Sequence, residues 1–380
     1  MRIVQVVNAL AGTATGGGSS RTLALDQFVD KQGGSRIIVQ DAQWCTDRCR
    51  RALRPISLCR DILRAKPDVV LFRYPGFPFF WSLDRGTDLV RSTLFLLALR
   101  RLTQRKKVCV VVDVLDLLRF PSPNPDLQLG LDDRGLERFE RMLFGYADGI
   151  WACSHAIGDH LATVYDIPED RVQVVLNGSF RESAGVPGGN DHTDYGKFSF
   201  FYAGDLAQGW RGTEIMLDGF VNGVKDRSAR LVLCGTGGEW IARSVSDERI
   251  MNLGVLTAQE AAMAGRNCSV GLIPQPESGY YHMAFPTKLG LYITLGLPVI
   301  TTCAREAASF VRANGLGLVA PAGDFGTHMQ RLMDDVPLFR TCQAAARSMS
   351  EAFYWDSIYP AALSQFVERC SLPCDGFPDD

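Results

Sequence analysis

Two basic residues, Arg211 and Lys288, stand where the sequence predicts that a helix begins soon after a strand. A guanidinium can bind a phosphate through paired hydrogen bonds, and a helix start adds free backbone N–H groups. A cation at a helix start is otherwise mildly unfavourable, so both positions favour anion binding. We therefore predict that Arg211 and Lys288 bind a diphosphate and stabilise its charge as it leaves. The alternative is an ordinary surface cation at each position.

Three glycine-rich turns follow predicted strands and supply further candidate contacts. Without side chains, their backbone N–H groups can approach a phosphate, ribose or base closely. The first is Gly16, Gly17 and Gly18, whose spacing is not that of a dinucleotide fingerprint. The others are Gly204, and Gly235 with Thr236. The alternative for each is an ordinary flexible turn.

An aromatic loop precedes Lys288 and contains Tyr281. Pro286 and Thr287 are favourable residues for a helix start, which places Lys288 in the first turn. Tyr281 and Thr287 are therefore added to the candidate ligand contacts.

Two carboxylates, Asp113 and Asp116, lie at the end of the fourth predicted strand and just after it. Either could act as a general base toward a hydroxyl group if the chemistry requires one. The alternative is helix capping or plain surface exposure.

Short apolar runs alternate with helical patterns along the chain. Strands are predicted at 3–8, 36–40, 68–72, 108–114, 149–153, 172–176, 198–203, 231–234, 249–253, 270–273 and 299–302. Helices are predicted at 19–31, 57–65, 87–102, 134–146, 155–165, 212–224, 258–264, 287–295, 306–313 and 361–369. This alternation is typical of α/β folds with doubly wound parallel sheets.

The polar, glycine-rich segment 181–196 has no apolar period and is predicted to be an interdomain linker. It separates a Rossmann-like domain at 1–180 from a second one at 197–352, followed by a C-terminal segment at 353–380. Ligands of such sheets bind beyond the carboxyl ends of the strands. We therefore expect two domains that face each other across a cleft.

Length and charge narrow the function classes. The chain has 380 residues, which suits two domains, and a net charge of −2, which argues against nucleic-acid binding. Its eleven cysteines form no repeating pattern, and no zinc-like spacing is present, so no metal site is expected. The first residues lack the features of a signal peptide, which predicts a cytoplasmic protein.

Several segments together resemble one family. They are Ala147-Asp148-Gly149 through Ser154, Ile167-Pro168 through Asn177-Gly178, Phe201 through Gly212, Phe285 through Ile300, and Tyr354-Trp355-Asp356. In this order and spacing they are similar to the GT-B glycosyltransferases, specifically the family-4-like enzymes that use nucleotide sugars to build bacterial polysaccharides and glycoproteins. The resemblance covers nearly the whole chain.

The resemblance implies a GT-B architecture with an N-terminal acceptor domain, a C-terminal donor domain and a final helix that returns to the N-terminal domain. It implies metal-independent, retaining transfer from a nucleotide diphosphate sugar, with UDP favoured over GDP, and no tightly bound cofactor. Asn177 joins the candidate donor contacts. The acceptor class implied is a glycan, a lipid-linked sugar or a glycoprotein, and a homo-oligomer is left open.

Two departures from the family keep other interpretations open. Met283 and Leu291 stand where many relatives carry paired glutamates, and Leu115-Asp116 replaces a histidine-aspartate pair. The chain could therefore be a degraded relative that binds an acceptor or stabilises another transferase. An epimerase or a phosphorylase of the same fold is the third interpretation.

Peripheral contact with the inner face of a membrane is a further hypothesis, because a lipid-linked acceptor would lie there. It rests on apolar and basic residues of the predicted helix 87–102 and the residues after it, namely Leu89, Phe95, Leu96, Leu99, Arg91, Arg100, Arg101, Arg105, Lys106 and Lys107. The alternative is an amphipathic helix that covers the sheet and keeps its basic end in solvent.

Overall fold

The computed structural model describes residues 1–8, 17–39, 48–77, 85–120, 133–181 and 198–370. The chain forms two compact units. The first comprises Met1–Val175 together with Tyr359–Asp380, and the second comprises Leu176–Ile358. Of the predicted linker 181–196, only Arg181 lies within the described residues.

The first unit contains a six-stranded sheet in which every neighbouring pair is parallel. Its strands are β1 (Ile3–Asn8), β2 (Ser35–Val39), β3 (Val69–Tyr74), β4 (Cys109–Val114), β5 (Gly149–Ala152) and β6 (Val172–Val174), in the order β2-β1-β3-β4-β5-β6. The helices of this unit are Gly17–Lys31, Arg48–Arg64, Arg85–Lys106, Asp133–Tyr146 and His155–Tyr165. Strand β3 is buried along its whole length, as expected for a parallel sheet between helical layers.

The second unit repeats this architecture. Its strands are β7 (Ser199–Ala203), β8 (Arg230–Cys234), β9 (Ile250–Asn252), β10 (Val270–Ile273), β11 (Val299–Thr301) and β12 (Gly317–Val319), all parallel, in the order β12-β11-β10-β7-β8-β9. Its helices are Thr213–Asp218, Ile241–Ser244, Ala258–Arg266, Gly279–Met283, Thr287–Thr294, Arg305–Ala313, Phe325–Asp334 and Val336–Met349, with a π-helical turn at Gly219–Gly223. The predicted fold class, two doubly wound α/β sheets, is confirmed.

The last described helix, Trp355–Cys370, begins in the second unit and continues in the first. Within the first unit, the Tyr359 ring stacks on Phe28 at 5.5 Å between centroids. A Cβ placed on Gly149 would lie 2.5 Å from the Phe366 ring, so glycine is needed where strand β5 meets this helix. Among the described helices, none has the length and apolar composition that a membrane span requires.

Candidate functional site

The carboxyl ends of β7 and β8 in the second unit are held together by their two glycine turns. The N–H of Gly204 donates to the Cys234 carbonyl at 2.9 Å, and the N–H of Leu206 donates to the Thr236 carbonyl at 2.8 Å. Gly235 has φ +143°, and a Cβ there would lie 1.7 Å from the Gly204 carbonyl oxygen. The two turns therefore form one backbone surface that no larger residue at position 235 would permit.

Arg211 is positioned by its neighbour Gly212, whose backbone also lies very close to another segment of the chain. Gly212 has φ +74°, and a Cβ there would lie 1.6 Å from the carbonyl oxygen of Pro274, which follows β10. The Arg211 guanidinium lies 3.8 Å from the centre of the Trp210 ring. The Tyr281 hydroxyl donates to the Trp210 carbonyl at 2.5 Å, which connects the aromatic loop to the same turn.

Three polar atoms around this turn are buried and have no hydrogen-bond partner within the described part of the chain. They are Arg211 Nε, Thr213 Oγ1 and Gln275 Oε1. Thr213 is fully buried and Gln275 is 5% exposed. Because buried polar groups almost always have partners, their clustering beside Gly212 indicates a place where a polar ligand completes the hydrogen bonding.

Lys288 lies in the first turn of the helix Thr287–Thr294. Its ammonium is 3.9 Å from the centre of the Tyr202 ring, and it would lie 3.1 Å from a Cβ on Gly204. Burial and the nearby charge of Arg211 lower the pKa of Lys288 well below its usual range, against the opposing effect of Asp205. In the described ranges neither Arg211 nor Lys288 forms an ion pair with an acidic side chain.

The carboxyl ends of β3 and β4 in the first unit hold a buried charge cluster. Asp113 is fully buried and accepts hydrogen bonds from Arg21, at 3.1 Å from Nε and 2.5 Å from Nη2. Arg73 stands opposite Asp113 in the strand register and is 5% exposed. Burial lowers the pKa of Arg73, although Asp113 and Asp116 both act to raise it. Asp116 therefore lies close to Arg73, and its side chain is only half-buried.

Known proteins with similar features were found at the level of both sequence and structure. Residues 237–322 match the family model described as "Glucosyltransferase 3-like, C-terminal domain". A search of curated proteins gave no match. Among solved structures, a glycosyltransferase from Rickettsia africae is similar with a TM-score of 0.65 at 15% identity, covering 98% of this chain and 99% of that one.

Two other solved structures share the fold. Sucrose-phosphate synthase from Thermosynechococcus elongatus is similar with a TM-score of 0.68 at 13% identity, over 98% of this chain and 100% of that one. HepE from Anabaena, in complex with UDP and glucose, has a TM-score of 0.60 at 13% identity, over 97% and 100% of the two chains. Residues 237–322 thus resemble a glucosyltransferase-like domain, and the chain has the GT-B fold. The suspected resemblance is thereby confirmed at the level of the fold and this domain.

The GT-B second unit brings together six of the predicted contact residues at the strand edge of β7, β8 and β10. They are Gly204, Arg211, Gly235, Thr236, Tyr281 and Lys288. Thr287 begins the Lys288 helix and is half-buried. Their role as donor contacts stays a prediction.

Asn177 has a supporting position in this unit. Its side-chain amide donates to the Phe285 carbonyl at 2.7 Å, and it is 2% exposed. Phe285 immediately precedes Pro286, so this bond fixes the start of the Lys288 helix. This bond gives Asn177 a positioning role, and its predicted contact with the nucleotide sugar stays a prediction.

The first unit places the two predicted carboxylates, Asp113 and Asp116, in different environments. The ion pair with Arg21 neutralises the Asp113 carboxylate in the interior, so the geometry weighs against Asp113 as a general base. Asp116 retains the accessibility that contact with a substrate needs. The buried arginines Arg21 and Arg73 were missed by sequence reasoning, although an arginine at the end of the apolar run Val69–Tyr74 is a detectable signal.

The first glycine turn is described only in part. Gly16 lies outside the described residues, and Gly17 and Gly18 are the first residues of the helix Gly17–Lys31.

Proposed function

We propose that the chain transfers a sugar from a uridine diphosphate sugar whose diphosphate is bound by Arg211 and Lys288. The observation that carries this proposal is the pairing of two cations at one strand edge without an ion-pair partner in the described ranges. Two like charges in a partly buried site are unfavourable unless an anion joins them. A diphosphate supplies that anion and fits the bidentate chemistry of the guanidinium.

The neighbouring atoms support the same ligand. The unpartnered Arg211 Nε is a donor suited to phosphate oxygen, and Thr213 Oγ1 can donate as well. Gln275 Oε1 is an acceptor, so it suits a hydroxyl or N–H group of the donor rather than a phosphate. UDP is the favoured nucleotide because HepE from Anabaena is described in complex with UDP and with UDP-glucose.

We propose glucose as the first sugar to test, because the matched family model is described as glucosyltransferase-like. The leaving diphosphate would be stabilised by the two cations, which is why we propose transfer without a metal ion. We further propose that the reaction retains the anomeric configuration. In that case Asp116 accepts a hydrogen bond from the acceptor hydroxyl and orients it, rather than acting as a base.

Release of UDP from UDP-glucose, with and without glycan, lipid-linked and glycoprotein acceptors, tests the proposal. Arg211→Ala and Lys288→Ala should each lower kcat/KM for the donor by at least about tenfold, or ~1.4 kcal/mol. Arg243→Ala, at an exposed arginine of the second unit, is the matched control and should leave kcat/KM unchanged. Normal donor kinetics in both variants would rule out the assigned diphosphate site.

A second measurement separates an active enzyme from a degraded relative. UDP should raise the thermal midpoint of the wild-type protein, because a ligand that binds the folded state stabilises it. UDP should raise the thermal midpoint of the Arg211→Ala variant much less. If the protein binds UDP but transfers sugar to none of the acceptors, the transferase proposal is contradicted. The chain would then be better interpreted as a binding partner of another enzyme.

A further inference from the structure

Two helices of the first unit share a surface that is both apolar and basic. In the helix Arg85–Lys106, residues 92, 95, 96, 99 and 103 are buried and form the side that packs on the unit. A second stripe at helical spacing is exposed and consists of Val90, Leu94, Leu97 and Arg101. The exposed fractions of Val90, Leu94 and Leu97 are 58%, 56% and 49%.

This stripe corrects the residues that the sequence indicated. Phe95, Leu96 and Leu99 were expected to form an apolar face toward a membrane, but each is at most 1% exposed. All three are buried, and the Phe95 ring packs edge-on against Phe72 of β3, which agrees with the alternative interpretation. The side chain of Leu89 lies outside the described residues. The helix nevertheless exposes other apolar residues one position away from the predicted ones.

The neighbouring helix Arg48–Arg64 extends the surface. A groove between the two helices is lined by Ile56, Cys59, Arg60, Leu63, Arg64, Ala98 and Leu102. Ile56 is 63% exposed, and Arg60, Arg64 and Arg101 are exposed as well. We call Ile56, Val90, Leu94 and Leu97 with these three arginines the basic apolar face. Four of the ten large apolar side chains that are exposed in the described residues lie on it, so it is not scattered surface hydrophobicity.

The charge of these helices sets them apart from the rest of the chain. Together they contain twelve arginine and lysine residues and two aspartates. The whole chain has a net charge of −2, so the rest of the molecule is strongly acidic. Positive charge is thus concentrated on the two helices that expose apolar side chains.

We propose that the basic apolar face binds the surface of an anionic lipid bilayer. Apolar side chains that enter the headgroup region, surrounded by arginines that contact lipid phosphates, are the features of a helix lying in a membrane interface. Pairing of this face with the same face of a second copy is disfavoured, because a two-fold contact would bring like charges together. The inference concerns a different surface from the diphosphate site and does not depend on the proposed reaction.

Flotation of the full chain with vesicles tests the inference. Vesicles of phosphatidylcholine with phosphatidylglycerol should carry the protein upward, vesicles of phosphatidylcholine alone should carry much less, and added salt should reduce binding. The variant Leu94→Ser/Leu97→Ser should bind at least about tenfold more weakly. The variant Arg60→Gln/Arg64→Gln should lose most of the vesicle binding that is sensitive to salt.

The control variant is Val255→Ser/Val336→Ser, which removes equally exposed apolar side chains from the second unit. It should bind vesicles like the wild type, and all variants should keep the wild-type thermal midpoint because the changed side chains are exposed. The inference is overturned by absence of binding to anionic vesicles or by equal losses in the control. It is also overturned if the leucine variant changes only the molar mass measured by light scattering, which would assign the face to a protein contact.

Discussion

The Lys288 ammonium lies 3.9 Å from the centre of the Tyr202 ring, a distance at which the face of an aromatic ring attracts a cation. The ring itself is fixed, because Tyr202 is fully buried and its hydroxyl donates to the Asp205 carbonyl at 2.9 Å. A long flexible side chain is thereby held at the strand edge where the diphosphate is proposed to bind. This ring therefore preorganises the lysine before the ligand arrives.

Replacement of this ring should weaken donor binding. Tyr202→Leu is expected to raise the donor KM about fivefold, since cation–ring attraction contributes roughly 1 kcal/mol in a partly desolvated site. Tyr202→Phe keeps the ring and should retain most of the affinity. Initial-rate kinetics with varied UDP-glucose measure both. Equal effects of the two substitutions would show that the hydroxyl, not the ring face, positions Lys288.

The lowered pKa of Lys288 makes donor binding depend on pH. Burial and the charge of Arg211 favour the neutral amine in the free protein, whereas a bound diphosphate favours the ammonium. The complex therefore holds more protons than the free protein above the lowered pKa, so affinity for UDP should fall as pH rises. Isothermal titration calorimetry in buffers of different ionisation enthalpy should detect proton uptake on binding.

The matched variant for this effect is Lys288→Arg, whose guanidinium stays charged throughout the accessible pH range. It should bind UDP with little pH dependence and without proton uptake. Persistence of the wild-type pH dependence in this variant would assign the titration to another group.

Gly212 should be needed for the site in a way that its neighbour Gly209 is not. Both have positive φ, +74° and +86°, so alanine strains the backbone at each by a similar amount. A Cβ at 212 also meets the Pro274 carbonyl oxygen at 1.6 Å, whereas a Cβ at 209 meets no atom within 4 Å. Gly212→Ala should therefore displace Arg211 and raise the donor KM at least about tenfold, while Gly209→Ala changes it little.

The thermal midpoint of each variant separates the two effects of these substitutions. A decrease in thermal midpoint that is the same in Gly209→Ala and Gly212→Ala measures the backbone strain alone. If Gly209→Ala impairs donor binding as strongly as Gly212→Ala, the close contact with Pro274 is not what positions Arg211.

The sequence predicts most of the regular elements because their apolar periods are local. Strands β1 and β10 and the helix His155–Tyr165 have the predicted limits. The helices Phe325–Asp334 and Val336–Met349 were missed, and β12 was also missed because its three residues are all only half-buried. The helix Arg48–Arg64 begins nine residues before its predicted start and contains Pro55, a residue type that usually interrupts a helix.

In the candidate site too, features set by local sequence could be predicted, whereas features set by contacts between distant segments could not. The positions of Arg211 and Lys288 after strands could be predicted from local patterns, whereas the contact of Gly212 with Pro274 depends on how two distant loops pack. Likewise, Asp113 and Asp116 look equivalent in the sequence. Only the fold shows that Arg21, 92 residues away, forms a buried ion pair with Asp113.

This difference gives the last prediction, in which the same change destabilises the protein far more at Asp113 than at Asp116. Asp113→Asn leaves Arg21 as a buried charge without its partner and should cost about 3–5 kcal/mol of stability. Asp116→Asn should cost much less, about 1 kcal/mol, because its side chain is half-exposed and only one of the acidic groups near Arg73 loses its charge. Chemical denaturation measures both quantities.

Kinetics with an identified acceptor then define the role of Asp116. If Asp116 only orients the acceptor, Asp116→Asn should lower kcat/KM for the acceptor about tenfold and leave the slow hydrolysis of the donor unaffected. A general base predicts a larger loss, about 10²–10⁴ in kcat, and inversion of the anomeric configuration. Full acceptor kinetics in Asp116→Asn would remove this residue from the site altogether. Stability of Asp113→Asn equal to that of the wild type would contradict the structural role of the Arg21 ion pair.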